Sequence, residues 1–235
     1  EHLRALLEEI RPPKLVLKPL GGMLGRGILV LDEIAYGADG IAATTNDGQR
    51  LSLDQIIARI DDRPRPLRRG DQPVADLSGY LIQERVEQHP FFAAIAPYTP
   101  NTFRVVTFVD PDGEVDIHFT TVRLGRRGST IDNWDQGGLS VGVDPANGEL
   151  GLGIFKSTHG ADWVGVHPDS GARFVGQRVP DWDKVRDVCQ RAARLTPGLR
   201  WIGWDVALSP TGPVLIEGNS DWALPPMQMM RPDGF

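Results

Sequence analysis

The sequence predicts an α+β fold, and two kinds of periodicity and a glycine-rich stretch indicate it. Two stretches have a strand-like alternation of residues on both sides of a turn and predict β-hairpins: NTFRVVTFVDPDGEVDIHFTTVRLG and WIGWDVALSPTGPVLIEGN. Three others place apolar residues at helical spacing and predict helices: EHLRALLEEI, LSLDQIIARI and WDKVRDVCQRAARL. The glycine-rich stretch LGGMLGRG lies between two short predicted strands. A chain of 235 residues can form one compact unit or two small lobes.

The same patterns give the order of the elements along the chain. The first part is predicted to contain a helix over residues 1–10, strands over 14–19 and 28–31, a helix over 51–60, an exposed Pro- and Arg-rich loop over 61–76, and a strand over 80–88. There follow an apolar segment over 89–101, expected to pack two lobes together, a hairpin over 101–125, a polar turn and strand over 129–144, a helix over 182–195, and a hairpin over 201–219. The arginines of the 61–76 loop form a solvated surface or, alternatively, meet an anionic substrate or lipid headgroup.

The last predicted hairpin carries oxygen ligands suited to a divalent cation. Asp205 lies on its first strand, and Glu217 and Asn219 lie two residues apart on its second, so the latter two share a face. Mg²⁺ prefers carboxylate and amide oxygens and takes only a few from protein, while phosphate oxygens complete its shell. These residues predict a magnesium site, with Mn²⁺ as an alternative ion. The other interpretation is a polar hairpin end with an incidental acid pair.

The glycine-rich stretch predicts a phosphate cradle. Gly22, Gly25 and Gly27 allow backbone N–H groups to wrap an anion, and Lys18 at the end of the preceding strand can place a charge on it. The Walker pattern and the Rossmann strand-to-helix turn are both missing from this stretch. A plain glycine-rich hairpin is the alternative.

Six blocks in order give the chain a resemblance to the ATP-grasp superfamily, in its sugar-transfer-associated branch. The blocks are VLKPLGGMLGRGI, YLIQERVEQHP, NTFRVVTFVD, VRLGRRGSTIDNWDQGGLSVGVD, HPDSG, and IGWDVAL with VLIEGN and a late Gln228. The resemblance implies ATP bound between two α+β lobes. We expect a small lobe with the phosphate loop over residues 1–85 and a large lobe with the metal site over 86–235.

The resemblance also assigns adenine contacts to the segment that joins the lobes. Backbone groups near Glu84, Arg85 and Val86 are expected to meet the adenine edge, with Gln83 beside them. Either Glu84 or Glu87 would then bond the exocyclic amine or the ribose hydroxyls. The alternative is that these acids are solvent-facing residues in the alternating pattern of an edge strand.

Two arginines and an asparagine complete the predicted site. Arg104 and Arg123 interrupt strand-like segments at the two ends of the first hairpin, and an arginine there needs an anionic partner or exposure. By resemblance they reach the triphosphate or a substrate carboxylate, which suits a planar guanidinium. Asn133, with Gly137 and Gly138, resembles the loop near the γ-phosphate and the acyl acceptor in ATP-grasp ligases. An Asx turn followed by glycines is a compatible structural interpretation.

Three classes of function remain open on the sequence. The first, which we favour, is a carboxylate–amine (or related nucleophile) ligase that uses ATP and Mg²⁺, forms an acyl phosphate, and serves polysaccharide or peptide-like metabolite biosynthesis. The others are a kinase of a sugar or other hydroxyl acceptor and a nucleotide-binding module without turnover. ATP-grasp proteins usually have a preceding domain that helps to form the substrate site. An N-terminal domain or partner chain is therefore expected to contribute here, and the alternative is that this protein manages without one.

Composition limits the partners and the cellular compartment that the sequence allows. The net charge of −6 argues against a nucleic-acid surface, and no apolar run approaches the roughly 20 residues needed to span a bilayer. We therefore expect a cytoplasmic protein with small-molecule substrates. The single cysteine, Cys189, has no partner for an internal disulfide, and its helical pattern favours a buried thiol over a nucleophile. His167, in HPDSG, is expected to serve a turn.

Overall fold

The chain divides into two compact units, Glu1–Arg85 and Val86–Phe235. The structure, a computed structural model, describes residues 2–20, 27–61, 68–69, 72–73, 79–129, 131–160 and 162–222. Helices and antiparallel sheets occur in both units, which confirms the α+β class. None of the helices in these ranges has the length and apolar composition that a membrane crossing requires.

The first unit is a five-stranded antiparallel sheet with two helices. Its elements are α1 (His2–Ile10), β1 (Leu15–Pro19), β2 (Leu29–Gly37), β3 (Gly40–Thr45), β4 (Arg50–Ser52), α2 (Leu53–Asp61), the two-residue strands β5 (Arg68–Arg69) and β6 (Gln72–Pro73), and β7 (Tyr80–Glu84). The main sheet has the order β4-β3-β2-β1-β7, and β5 pairs with β6 alone. Strand β1 therefore lies between β2 and β7, which brings the end of the unit beside its beginning.

Helical spacing explains how the two helices cover this sheet. Leu3 and Leu7 of α1 and Ile56 of α2 are buried in one cluster with inward residues of the strands. Ser52 and Gln55 cap α2 reciprocally: the Gln55 N–H donates to Ser52 Oγ at 3.3 Å, and the Ser52 N–H donates to Gln55 Oε1 at 2.8 Å. This capping box fixes the start of α2 directly after β4.

The second unit is a seven-stranded antiparallel sheet. Its elements are α3 (Pro90–Ile95), β8 (Thr102–Val109), β9 (Val115–Leu124), β10 (Leu139–Val143), β11 (Leu150–Ile154), β12 (Trp163–Val164), α4 (Trp182–Arg194), β13 (Trp201–Ser209) and β14 (Gly212–Asn219). The strand order is β12-β11-β10-β9-β8-β13-β14. Strands β8 and β13, which carry Arg104 and Asp205, are neighbours although they are far apart in the chain.

Only one face of this sheet carries the main core. Alternate strand residues such as Phe103, Val105 and Trp204 are buried together with Val185 and Cys189 of α4. The residues between them, among them Arg104 and Asp205, therefore project from the opposite face. Burial raises the pKa of the Cys189 thiol to about 12, so this cysteine is an inert core residue, as predicted.

Several predicted boundaries were wrong. The strand predicted over 80–88 ends at Glu84, and the strand predicted over 28–31 continues to Gly37. The apolar segment over 89–101 contains the short helix α3. Pro90 takes the first helical position there, and the His89 side chain accepts from the Phe91 N–H. The predicted loop over 61–76 begins at Asp61, which is the last residue of α2, and includes β5 and β6. The other residues of this range lie outside the described ones.

One glycine in the second unit is required both by backbone conformation and by packing. Gly148 has φ = 74°, and a Cβ there would lie 2.6 Å from Cγ of Trp182. Gly171 has the same φ of 74°, but a Cβ there would meet nothing within 4 Å. Gly148→Ala is expected to cost about 1–3 kcal/mol more than Gly171→Ala, because only the former adds overpacking to the backbone strain. Urea unfolding of both variants measures this difference, and equal losses would contradict the packing role of Gly148.

The partly buried ion pair between Arg126 and Asp169 predicts how the free energy of unfolding changes in acid. Arg126 bonds Asp169, holding the pKa of this carboxyl down from 3.8 to about 2. Because the folded-state pKa is depressed, the contribution to stability is present above about pH 4 and is lost as the pH falls toward 2. The gap in urea midpoint between the wild type and Asp169→Asn should therefore be constant from pH 7 to 5 and shrink below pH 4. Asp116→Asn, at an exposed position of β9, is the control and should follow the wild type.

Candidate functional site

Charged residues form one row across the second sheet, on the face opposite α4. Glu217 of β14 is paired with Asp205 of β13, Asp205 with Arg104 of β8, and Arg104 with Thr121 of β9. Directly paired residues of antiparallel strands lie on the same face with their Cβ atoms about 4.5–5.5 Å apart. The row therefore brings together the predicted metal ligands and a predicted arginine.

A β-bulge is what places Glu217 in this row. From Ser209–Gly212 to Val206–Leu215 the two strands of the hairpin pair in simple register, but the next pair is Asp205–Glu217. Ile216 is therefore the extra residue of β14. If the simple register of the turn continued past Leu215 with Ile216 in the ladder, Glu217 would oppose Trp204 and point toward the core face. The bulge also pairs Asn219 with Gly203, so Asn219 shares the face of Asp205.

Asp205 is held by both arginines. Arg104 Nε lies 2.7 Å from Oδ1, and Arg123 Nη2 donates to Oδ2 at 2.8 Å. Arg104 Nη2 reaches Oδ2 at 3.4 Å. The three side chains are only 16%, 17% and 8% exposed for Arg104, Arg123 and Asp205. No N–H of the described residues points at Oδ1 with hydrogen-bond geometry, so this buried oxygen has acceptor capacity to spare.

Burial and neighbouring charges act differently on the two arginines. Burial lowers the pKa of Arg104, although the charge of Asp205 opposes that shift. Burial also disfavours charge on Arg123, but Asp132 and Asp205 together outweigh it and raise the pKa of Arg123. Both guanidiniums remain charged, because arginine does not lose its proton in proteins. The site is therefore a region of fixed positive charge balanced by carboxylates.

Asp132 is a site residue that the sequence interpretation missed. It is buried, and its Oδ2 accepts from the Thr102 N–H at 2.8 Å and from Thr102 Oγ1 at 2.6 Å. Arg123 Nε lies 3.7 Å from the same oxygen and donates to Thr102 Oγ1 at 3.1 Å. Burial raises the pKa of Asp132. The one sequence signal was its position next to Asn133 in a polar turn.

The turn that holds Asn133 has the predicted local structure. Its side chain accepts from the Asp135 N–H at 2.8 Å and caps a 3₁₀ turn, Trp134–Gln136. Gly137 then takes a left-handed conformation at φ = 91°, which suits glycine. A Cβ at Gly138 would lie 2.4 Å from the carbonyl oxygen of Asp132, so that close approach also needs glycine. The Asx-turn interpretation is confirmed, and the contact of Asn133 with a ligand stays a prediction.

Glu217 and Asn219 have the character of cation ligands. Glu217 is exposed, and Asn219 Nδ2 donates to Glu217 Oε1 at 3.3 Å, which brings the two side chains together. Within the described ranges no three His, Cys, Asp or Glu side chains gather as a metal site. Two carboxylates and an amide oxygen are nevertheless the oxygen chemistry that Mg²⁺ accepts, and the spare acceptor capacity of Asp205 fits this set.

The first unit places only part of its predicted ligand set together. Lys18 pairs with Leu81 and Val16 pairs with Gln83, so Lys18 and Gln83 share the sheet face opposite the core. Glu84 pairs with the buried Leu15 and so belongs to the other face. Gly27 has φ = 77°, while Gly22 and Gly25 lie outside the described residues.

Beyond Glu84, the segment assigned to adenine has irregular backbone. Arg85 pairs with Asp32 of β2, with its Nη1 2.7 Å from Oδ1. Val86 and Glu87 follow outside any strand, and Glu87 is exposed. The Arg85 pair fixes the backbone where the predicted adenine contacts begin, a role that the sequence did not indicate.

Aromatic side chains and a cleft lie beside the charged row. Phe108, His118 and Trp201 form mutual ring contacts with centroids 4.5–5.7 Å apart. A cleft of about 510 Å³ runs past them along β9 and β10, and its lining includes His118, Phe119, Thr121, Gly142, Asp144 and Glu149. Because Thr121 and Gly142 pair in register beside Arg104, the cleft opens next to the charged row. Ring contacts and a cleft made by distant strands could not be deduced from spacing.

Three residues without assigned roles have structural partners. Lys156 forms an ion pair with Asp135, and its ammonium lies 5.8 Å from the ring centre of Trp134. His159 Nε2 lies 3.4 Å from the Asp135 carbonyl oxygen. His167 is fully buried, and its Nε2 lies 3.0 Å from the Gly125 carbonyl oxygen. Its Nδ1 accepts from the Asp169 N–H at 3.3 Å, which is the expected turn role.

The chain belongs to the sugar-transfer associated ATP-grasp family, whose model matches residues 1–235. This membership confirms the ATP-grasp fold and the resemblance seen in the sequence. It indicates an ATP-binding, ATP-dependent enzyme of ligase type, without specifying the reaction or the substrates. A comparison with curated proteins gave no significant match.

Thr102 provides a test of the network around Arg123. Thr102→Val should cost about 1.5–3 kcal/mol of unfolding free energy, because it removes hydrogen bonds to two buried charged groups. Thr120→Val is the control on β9: its hydroxyl is buried but has no hydrogen-bond partner among the described residues. The control should be neutral or stabilising. Urea unfolding compares the two, and a similar loss in both would contradict the network.

Proposed function

We propose that the protein is an ATP-dependent ligase that joins a carboxylic acid to an amine or related nucleophile through an acyl phosphate. One observation carries the proposal: two nearly buried arginines converge on the row that holds Asp205 and Glu217. Such an array suits a reaction in which negative charge must be positioned and stabilised. Phosphoryl transfer asks mainly for positioning and electrostatic stabilisation from the protein.

The described residues divide these tasks. Arg104 and Arg123 would bind phosphate oxygens or the substrate carboxylate, since a planar guanidinium donates two parallel bonds to such groups. By the family resemblance, Lys18 would add a point charge to the phosphates. Mg²⁺ or Mn²⁺, held by Asp205, Glu217 and Asn219, would supply neutralisation of phosphate charge. We assign the acid substrate to the cleft beside Thr121, because it opens next to the arginines. The cytoplasm, where ATP is available, is the proposed compartment.

Hydroxylamine trapping tests this function. The protein is incubated with Mg-ATP, pools of carboxylic acids and hydroxylamine, which captures an acyl phosphate as a hydroxamate. We expect hydroxamate, ADP and free phosphate in equal amounts, and only when an acid is present. Glu217→Gln should lower the rate at least a hundredfold, because it removes a charged ligand near the phosphates. Glu114→Gln, at an exposed turn, is the control and should match the wild type.

Other products would favour the other classes. A phosphorylated acceptor that survives without free phosphate would make the protein a kinase and contradict ligation. Binding of Mg-ATP without cleavage in the presence of every acid and nucleophile pool would leave a nucleotide-binding module.

A further inference from the structure

Asp205 forms ion pairs with both arginines and is also a proposed ligand of the cation. Both of its oxygens have a guanidinium nitrogen within 2.8 Å, from Arg104 on one side and Arg123 on the other. A cation that approaches this carboxylate therefore meets two positive charges already in place. Glu217 and Asn219 are more accessible, but two neighbouring ligands without Asp205 make a poorer site for a cation that prefers several hard oxygens.

The two arginines are not equally fixed. Arg123 is held by Thr102 and lies near Asp132 as well as bonding Asp205. Arg104 has Asp205 as its hydrogen-bond and ion-pair partner among the described residues, and its Nη1 is buried without an acceptor there. Arg104 is therefore the guanidinium that a new anion can capture at the lowest cost.

The side chain of Arg104 lies against the backbone of Gly203. At Gly203 a Cβ would lie 3.1 Å from both Cδ and Nη1 of Arg104 and 2.4 Å from Cβ of Trp222. The missing side chain thus lets the guanidinium and Trp222 lie against β13. A shift of Arg104 away from Asp205 without an anion to receive it would leave a buried charge unpaired, which is strongly unfavourable. A polyphosphate removes that penalty, because its oxygens accept the same donors.

We propose that Arg104 blocks the cation site of the ligand-free protein, so that a divalent cation binds Asp205 only together with a polyphosphate that draws Arg104 away. The inference rests on the proposed function only in its choice of ligands. It makes Arg104 a specificity residue: the site selects the cation–polyphosphate pair over the free cation. Cation and nucleotide then favour each other's binding, as linkage requires.

The test measures binding of Mn²⁺ alone, by electron paramagnetic resonance of the free ion at neutral pH. Wild-type protein should bind Mn²⁺ weakly, and Arg104→Gln should bind it at least tenfold more tightly, because Asp205 is then released. Adding Asp205→Asn to Arg104→Gln should abolish the gain, which locates the ion. Arg194→Gln, at an exposed position in the last turn of α4, is the matched control and should behave as the wild type.

Each other outcome overturns the inference. Equal Mn²⁺ affinity in the wild type and in Arg104→Gln, or no binding to either, shows that Arg104 does not block the site. A gain that persists with Asp205→Asn places the ion elsewhere. Should Arg104→Gln fail to fold, Arg104→Met makes the same test with an apolar chain of similar length. Since no ATP or acid is present, failure here is separate from failure of the hydroxamate assay.

Discussion

The second unit depends on a carboxylate that is buried between two guanidiniums. Moving a charged group out of water is costly, and Asp205, Arg104 and Arg123 offset much of that cost by pairing with one another. The pairing fixes three strands relative to each other on the face that lacks α4. The same groups are thereby preorganised for anions, since their orientation is set before any ligand arrives. Stability and ligand binding therefore compete for one set of atoms.

The fold tolerates these buried charges because the two faces of the sheet have different roles. Phe103, Val105 and Trp204 bury apolar surface against α4, and this face supplies the hydrophobic stabilisation. The residues between them point to the other face, because successive side chains of a strand alternate between the two faces, and they need not be apolar. Consequently Arg104 and Asp205 can remain polar without leaving a hole in the core. Asp132, which joins from a turn, completes the balance of charge around Arg123.

Local pattern predicted much of this fold, and pairing between distant strands decided what it did not predict. Helices α1, α2 and α4, the two hairpins of the second unit and the buried Cys189 follow from periodicity and turn residues. The contact of Arg104 with Asp205 depends on β8 pairing with β13 across about a hundred residues, which no local pattern encodes. Asp132 was missed for the same reason, because its partners Thr102 and Arg123 lie on two other segments.

The predicted acid site itself required a feature that alternation does not reveal. A two-residue turn between Ser209 and Gly212 sets a register in which Asp205 would oppose Ile216 and Glu217 would face the core. The single extra residue at Ile216 reverses the face of everything that follows it in β14. Placing Glu217 and Asn219 beside Asp205 thus depends on one bulge. Deleting Ile216 would remove the bulge and still leave Glu217 opposite Asp205, so the two carboxylates share a face because of the register shift and not because of the side chain of Ile216.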